Sequence, residues 1–149
     1  MRTKKQALVS FAAAALAFGS LAVTLRASDP AHERHETMEE VGQAFKSLSA
    51  IAKKAAPFDA AVVQKHGETV AEKLKAASAL FPAGSGGGKS RAKATIWTDG
   101  ADFEKWMKDA QAAAVALQSV KDEAAFGPAF QAVAVSCKNC HEKYRLPKQ

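Results

Sequence analysis

The sequence predicts an all-α fold, an antiparallel up-down-up-down four-helix bundle. Hydrophobic residues fill 48% of the 149 positions but aromatic residues only 7%. Abundant alanine and few aromatic residues argue against strands, which favour aromatic and β-branched side chains. Four segments carry apolar residues at spacings of three and four, and no segment alternates apolar and polar residues with a period of two. Short connections between such helices favour antiparallel neighbours, and the chain length suits one domain.

The first two predicted helices are separated by a proline-containing turn. The first begins at residues 28–30, where capping side chains precede a proline in the first turn, and runs to Lys54. The second is capped by Asp59 and stops at Pro82. Their apolar stripes consist of Met38, Val41, Phe45, Leu48 and Ala52, and of Val63, Val70, Leu74, Ala77 and Phe81.

A loop rich in glycine, serine and lysine follows over residues 83–98. Ile96 and Trp97 at its end are predicted to fold back as a lid on the bundle. Thr98 or Asp99 caps the third helix. The apolar stripe of this helix consists of Phe103, Met107, Ala110, Ala114 and Leu117.

The fourth helix is predicted to start at Asp122. Pro128 interrupts its beginning, so either the regular helix starts near Pro128 or its first turns are kinked. Its apolar stripe contains Phe126, Phe130, Val133, Cys137, Cys140 and Tyr144.

Residues 1–27 have the features of a secretory signal peptide. Three basic residues among the first five precede an uncharged, mostly apolar run over residues 7–23, which ends in small residues. Cleavage is predicted after Ala27, with a cut after Ala22 as the second choice and a retained membrane anchor as the alternative. The sequence therefore predicts export to the periplasm and a mature domain over residues 28–149.

Export also changes the charge of the protein. The full chain has a formal charge of +6, but residues 1–27 contain four basic residues and no acidic one, so the mature charge is +2. A nearly neutral protein lacks the basic surface that nucleic-acid binding needs. We expect no nucleic-acid partner, and no membrane span once the signal peptide is removed.

The chemistry-bearing motif lies near the C-terminus. Cys137, Cys140 and His141 form a C-x-x-C-H sequence, the attachment signature of c-type haem. At helical spacing the three side chains project from one face, so two thiols can form thioethers with the haem vinyl groups while the imidazole reaches the iron. The motif predicts one covalently attached haem c.

Three other uses of the two cysteines fit less well. A thioredoxin-like motif needs a preceding strand, a structural zinc site needs four ligands, and a disulfide between Cys137 and Cys140 would be strained within a regular helix. A haem-free helical chaperone or metal binder is the third alternative.

The sixth iron position has one leading candidate. Met38 lies near the start of the first helix, which in an antiparallel bundle packs close to the end of the fourth. It either ligates the iron or fills the core and leaves the iron five-coordinate. Met107 is near the start of the third helix and can lie at the same end, but its stripe neighbours are typical of ordinary core. Three histidines are expected to face solvent: His32, His35 and His66.

The chain resembles the class II c-type cytochromes, which comprise cytochrome c′ and the low-spin cytochrome c556. The resemblance covers nearly all of residues 29–146. It includes the C-terminal haem motif with residues 142–145 after it, the turn at 56–59, residues 80–82, and Ile96 and Trp97 followed by Phe103.

The resemblance implies roles for three further residues. Met38 falls where c556-like members place their methionine ligand, whereas cytochrome c′ usually has an apolar, non-ligating residue there. Arg34 matches an arginine near the distal side and the haem propionates, and Arg145 one near the proximal histidine. The family also implies a homodimer formed through the first two helices.

Two further patterns indicate a function less specifically. Residues 83–90 nearly spell a phosphate-binding loop, but a helix and Pro82 precede them in place of a strand. Basic residues around the haem motif form either a rim that steers an acidic redox partner or an ordinary solvated helix face: Lys138, Lys143, Arg145 and Lys148.

Together these features predict a non-enzymatic periplasmic electron carrier. Cys137 and Cys140 attach the haem, His141 is the proximal ligand and Met38 the distal one, and the redox partner is unidentified. The alternative is a five-coordinate protein resembling cytochrome c′ that binds NO or CO at the iron.

Overall fold

The computed structural model describes residues 29–148, which form five helices. These are α1 (Pro30–Ala52), α2 (Ala60–Ser78), α3 (Thr95–Thr98), α4 (Gly100–Leu117) and α5 (Glu123–Tyr144). The four long helices make an antiparallel bundle in which α1 packs on α2, α2 on α4 and α4 on α5, while α1 and α5 close the ring. The predicted fold class is confirmed. The predicted signal peptide lies outside the described residues.

Aspartate caps start three of the long helices, as predicted. Asp29 accepts a hydrogen bond from the Ala31 amide at 2.9 Å, Asp59 caps α2 in the same way, and Asp122 accepts from the Ala125 amide at 2.8 Å. Each bond satisfies an amide that has no partner inside the helix. At the start of α4, Asp99 contributes its backbone carbonyl, which accepts from the Phe103 amide at 3.0 Å, and no side-chain bond.

The helices end slightly earlier than predicted. The first stops at Ala52 because Lys54 adopts a left-handed backbone with φ of 59°, and the second stops at Ser78, four residues before Pro82. At the end of α1, Ile51 is buried and Ala52 is exposed, which corrects the predicted inward position of Ala52. The 3.6-residue period puts residue 51, three after Leu48, on the buried face.

Pro128 lies inside α5, which begins five residues earlier at Glu123. Of the two alternatives left open at Pro128, a regular helix that starts near the proline is therefore wrong. The Asp122 cap holds the first turn ahead of the proline. As a result, one continuous helix carries the buried Phe126 and Val133 down to the haem motif.

The core fills the space between the four long helices. At one point α2 and α4 approach so closely that a Cβ on Gly67 would lie 2.6 Å from the Cβ of Leu117. Only glycine fits there without moving a helix. The largest fully buried side chains are Leu48, Val63, Val70, Leu117 and Val133.

The long connection between α2 and α4 crosses one end of the bundle. The indole Nε1 of Trp97 donates to the Phe81 and Pro82 carbonyls, so the end of the loop folds back as predicted. Ala92 and Arg145 form an isolated antiparallel bridge, the only β pairing within residues 29–148. This bridge attaches the loop to the end of α5, beside the haem motif.

Among the described residues, no helix combines the length and the apolar character needed to cross a bilayer.

Candidate haem site

The haem motif lies in the last two turns of α5. Cys137 and Cys140 are half-buried free thiols that pack against the core, and His141 follows directly. Tyr144 anchors this end of the helix: it is 3% exposed, its ring meets that of Phe103 edge-on at 5.2 Å, and its hydroxyl donates to Asp102 of α4. The motif is thus held against α4 as well as against the core.

A cavity of about 220 Å³ opens between α1, the loop and the end of α5, and we call it the inner cavity. It brings together Met38, Cys140, His141, Arg34 and Arg145, five of the six residues predicted for the site. Cys137 packs against the core nearby and is not part of the lining. The remaining lining residues are Ala31, His35, Phe81, Lys89, Ser90, Arg91, Ala92, Ile96, Phe103, Met107 and Tyr144.

Burial controls the protonation of the motif. It raises the pKa of the Cys137 thiol and raises the pKa of Cys140 to about 11, while it lowers the pKa of His141 to about 4 with help from Arg145 and Arg91. At neutral pH the imidazole is therefore uncharged and keeps a lone pair for a metal.

The donor set fits a c-type haem. Two thiols at helical spacing, a neutral imidazole and two thioether sulfurs lie in or beside the inner cavity. Its wall includes the aromatic ring of Phe81, which packs edge-on against Phe103 at 4.7 Å, and cationic side chains lie at its loop side. Flat apolar walls and adjacent cations suit a macrocycle with carboxylate substituents. Within residues 29–148, no group of three or more His, Cys, Asp or Glu side chains offers an alternative metal site.

Two methionines line this cavity, whereas sequence reasoning favoured one. Met38 of α1 is partly buried against the core, and Met107 of α4 is 6% exposed. The sequence places Met107 near the start of its helix, at the haem end, but its apolar stripe neighbours favour an ordinary core position. The structure shows both, since Met107 is buried and also lines the cavity. Any test of the distal ligand must therefore compare both.

Arg34 is buried and holds the loop. Its exposed fraction is 6%, and four of its five N–H groups donate to the loop: to the Leu80 carbonyl at 2.6 Å, to the carbonyl and hydroxyl of Ser85, and to the Ser90 hydroxyl at 3.0 Å. The guanidinium also stacks over the Phe81 ring at 4.9 Å. The predicted haem-side arginine thus also closes one side of the cavity.

Arg145 and the histidines are arranged differently. Arg145 ends α5, and its amide donates to the His141 carbonyl at 3.0 Å. His32 and His35 are exposed as predicted and pair with glutamates one turn on, although His35 also touches the cavity rim. His66, expected to face solvent, is half-buried.

Two curated relatives and one solved structure match most of the chain. It is 38% identical over 123 residues to cytochrome c′ of Rhodopseudomonas palustris, covering 81% of this chain and 84% of that one. It is 35% identical over 140 residues to cytochrome c-556 of Agrobacterium fabrum, covering 91% and 94%. The solved cytochrome c′ of Rhodopseudomonas palustris superposes with a TM-score of 0.77 at 38% identity, over 82% of this chain and 99% of that chain.

Fold and site together define a four-helix c-type haem protein. The family model described as Cytochrome C′ matches residues 29–145. The chain belongs to this family: it is a class II c-type cytochrome with a covalently attached c-type haem, and it is not an enzyme.

Proposed function

We propose that this cytochrome is a periplasmic carrier of single electrons. Cys137 and Cys140 form the thioethers, His141 is the proximal ligand and Met38 the distal ligand. The observation that carries the proposal is that Met38 and His141, from opposite ends of the described chain, line one cavity together with Cys140. Arg34 and Arg145 border the same cavity and supply positive charge for the propionates.

The ligand pair determines the chemistry. When bound, a haem with histidine and methionine ligands supplies a low-spin iron with a raised reduction potential and no open coordination position. His141 is suited to its role because it is neutral at physiological pH. The buried Arg34 and the loop that it holds cover one side of the cavity and limit access of water.

A second candidate is a five-coordinate protein that takes up NO or CO at the iron, with Met38 as a packing residue. The comparisons support this candidate better than the first, since the matching family model and one of the two reported relatives carry the name cytochrome c′. The other relative is a cytochrome c-556. The position of Met38 in the cavity wall is compatible with both, so spin state decides between them.

The deciding experiment compares absorption spectra of the oxidised and reduced protein with those of two matched variants. We expect a low-spin wild type that does not bind CO at neutral pH, a high-spin Met38→Leu variant, and an unchanged Met107→Leu variant. A high-spin wild type that binds CO readily would establish the second candidate. Conversion by Met107→Leu instead of Met38→Leu would transfer the distal role to Met107.

The location rests on the first 27 residues, which we propose to be a cleaved signal peptide. Intact-mass analysis of protein from a periplasmic extract is expected to show a chain that begins at Ser28 and carries one haem. A chain that retains residues 1–27 and is found in the membrane fraction would contradict it. A homodimer, implied by the family resemblance, remains a prediction for measurement of solution mass.

A further inference from the structure

A second hollow opens on the outer side of the haem motif. It has a volume of about 440 Å³ and is lined by Arg91, Lys93, Lys138, His141, Glu142, Arg145, Leu146 and Pro147; we call it the basic groove. Three of these residues, Arg91, His141 and Arg145, also line the inner cavity. His141, the proposed iron ligand, therefore forms part of the wall between the inner cavity and this surface.

The basic groove concentrates the positive charge of the molecule. It holds four cationic side chains and one carboxylate among its described lining residues, and that carboxylate, Glu142, pairs with Lys138 at 3.2 Å. The groove side chains sum to +3, and to +2 without Arg145, whose charge is assigned above to the propionates. All of residues 29–148 together also sum to +2, from 17 basic and 15 acidic residues, so the remaining described residues carry no net charge.

Backbone contacts orient two of these cations without neutralising them. Arg91 donates to the Leu146 carbonyl at 2.7 Å, and the Lys93 ammonium donates to the Glu142 carbonyl at 2.8 Å. Both come from the loop and reach the groove because the loop pairs with the end of α5. A carbonyl carries only a partial charge, so the full positive charges remain available to a partner.

Two of the four basic residues predicted around the haem motif do not line the basic groove. Lys143 points to the other side of α5, where its ammonium lies 2.6 Å from the Asp102 carboxylate. Lys148 does not line the groove. Arg91 and Lys93 replace them, although they lie about 50 positions earlier in the chain.

We propose that the basic groove is the docking surface for an acidic electron-transfer protein. This inference rests on the proposed electron-carrier function and names the partner's chemistry. In the complex, one electron passes between the partner and the haem iron, so one protein is oxidised as the other is reduced, with no proton or group transferred. Leu146 is 43% exposed at the groove and offers an apolar contact beside the charges, the combination that protein interfaces use.

The first experiment measures how the reduced protein reacts with oxidants of opposite charge. Hexacyanoferrate(III) and tris(phenanthroline)cobalt(III) each take one electron, and their rates are measured by stopped flow from 10 to 500 mM ionic strength. For the anionic oxidant we expect a rate that falls as salt screens the groove, and for the cationic oxidant a rate that does not fall. A rate that falls with salt for the cationic oxidant would contradict a basic site of electron exchange.

Matched variants locate the effect. The Lys93→Gln/Lys138→Gln pair removes two charges from the groove, and Lys46→Gln/Lys65→Gln removes two exposed lysines that line neither the groove nor the inner cavity. At low ionic strength we expect the groove pair to lose roughly three- to tenfold in rate with hexacyanoferrate(III) and the control pair to change less than about twofold. Equal losses in the two pairs would overturn the proposal.

The last experiment replaces the small oxidants with a protein electron donor. A reduced plant-type ferredoxin, an acidic one-electron donor, serves as the probe for the oxidised cytochrome. A loss confined to the groove pair with this probe supports protein docking, whereas a loss seen only with hexacyanoferrate(III) would reduce the groove to a small-anion site and overturn the proposal. Because both ligation states can exchange an electron, this result is independent of whether Met38 binds the iron.

Discussion

Arg34 is nearly fully buried, which arginine rarely is unless its charge is paired or hydrogen-bonded, and its four hydrogen bonds all go to a single loop. Hydrogen bonds from a charged group are worth about 1.5–3 kcal/mol each. The loop that they hold contains three glycines at positive φ, which have no such support of their own: Gly84, Gly87 and Gly88. Arg34 therefore holds this part of the loop on α1, while the Ala92–Arg145 bridge attaches its later part to α5.

Replacement of Arg34 should release the loop. In the haem-loaded Arg34→Gln protein we expect trypsin to cut after the exposed Lys89 at least about tenfold faster than in the wild type, because the loop loses most of its contacts with α1. The cleavage site is identified by mass spectrometry. His35→Gln, a change at the exposed neighbouring position, serves as the control and should leave the rate unchanged. Equal cleavage of wild type and Arg34→Gln would refute this role.

Individual residues also show which features of the site the sequence predicts and which it does not. The motif residues 137, 140 and 141 were recognisable because their spacing is a local signal. The bonds of Arg34 join positions 46 to 56 apart in the chain, and nothing local indicates which carbonyls a buried guanidinium will meet. The same holds for Met107, whose helix has an ordinary apolar stripe and whose place in the cavity depends on how α4 meets α1 and α5.

At the scale of elements, α4 and α5 are joined at the haem end by a small polar cluster. Asp102 of α4 accepts from Lys143 at 2.6 Å and from the Tyr144 hydroxyl, and these bonds lower the pKa of its carboxyl. Both partners are on the last turn of α5, three residues or fewer from His141. The cluster thus holds the haem motif against α4.

The depressed pKa of Asp102 gives a pH dependence of known sign. A carboxyl with a lowered folded-state pKa stabilises the protein above its ordinary pKa near 4, and this stabilisation is lost as the pH falls through the folded value. Asp102→Asn should therefore lower Tm at pH 7, and its difference from the wild type should shrink at pH 3. Thermal unfolding followed by circular dichroism measures both.

Asp109→Asn is the matched control for this experiment. Asp109 is on the same helix and pairs only with Lys105, four residues earlier and exposed. An exposed pair of this kind contributes little, so we expect a smaller loss of Tm at pH 7 than in Asp102→Asn. If the two variants behave alike at both pH values, the cluster does not join α4 to α5 as inferred.

Helix boundaries were largely predictable for a related physical reason. Aspartate caps and the three–four spacing act within a few residues, so all four long helices could be placed in the sequence to within about four positions. The exceptions were competing local signals. Pro128 suggested a break, but one missing amide near the start of a capped helix was tolerated.

For the whole molecule, charge is the property that changed most between sequence and structure. The formal charge of +6 falls to +2 without residues 1–27, which argues against a nucleic-acid partner. Composition alone could not show that the remaining charge is uneven, because Arg91 and Lys93 reach α5 only through the folded loop. A nearly neutral protein can therefore still present a strongly basic face.

The amphipathic pattern of the sequence predicted the four-helix bundle, but it did not predict where cavities lie within and around it. Sequence reasoning placed Met38 near the haem motif by antiparallel topology, and the two do meet in one cavity. It could not show that His141 would border two hollows, one facing inward and one facing solvent. That arrangement depends on the packing of five segments at once.

The half-buried thiols of the folded, haem-free bundle bear on the order of events in the cell. Thioether formation needs each sulfur to reach its vinyl group, yet Cys137 packs against the core and burial holds the pKa of Cys140 near 11. In a chain whose last helix has not yet docked, both sulfurs are open to solvent and ionise more readily. Attachment is therefore favoured before α5 closes onto α4. Docking of α5 onto α4 then buries a haem that is already covalently attached.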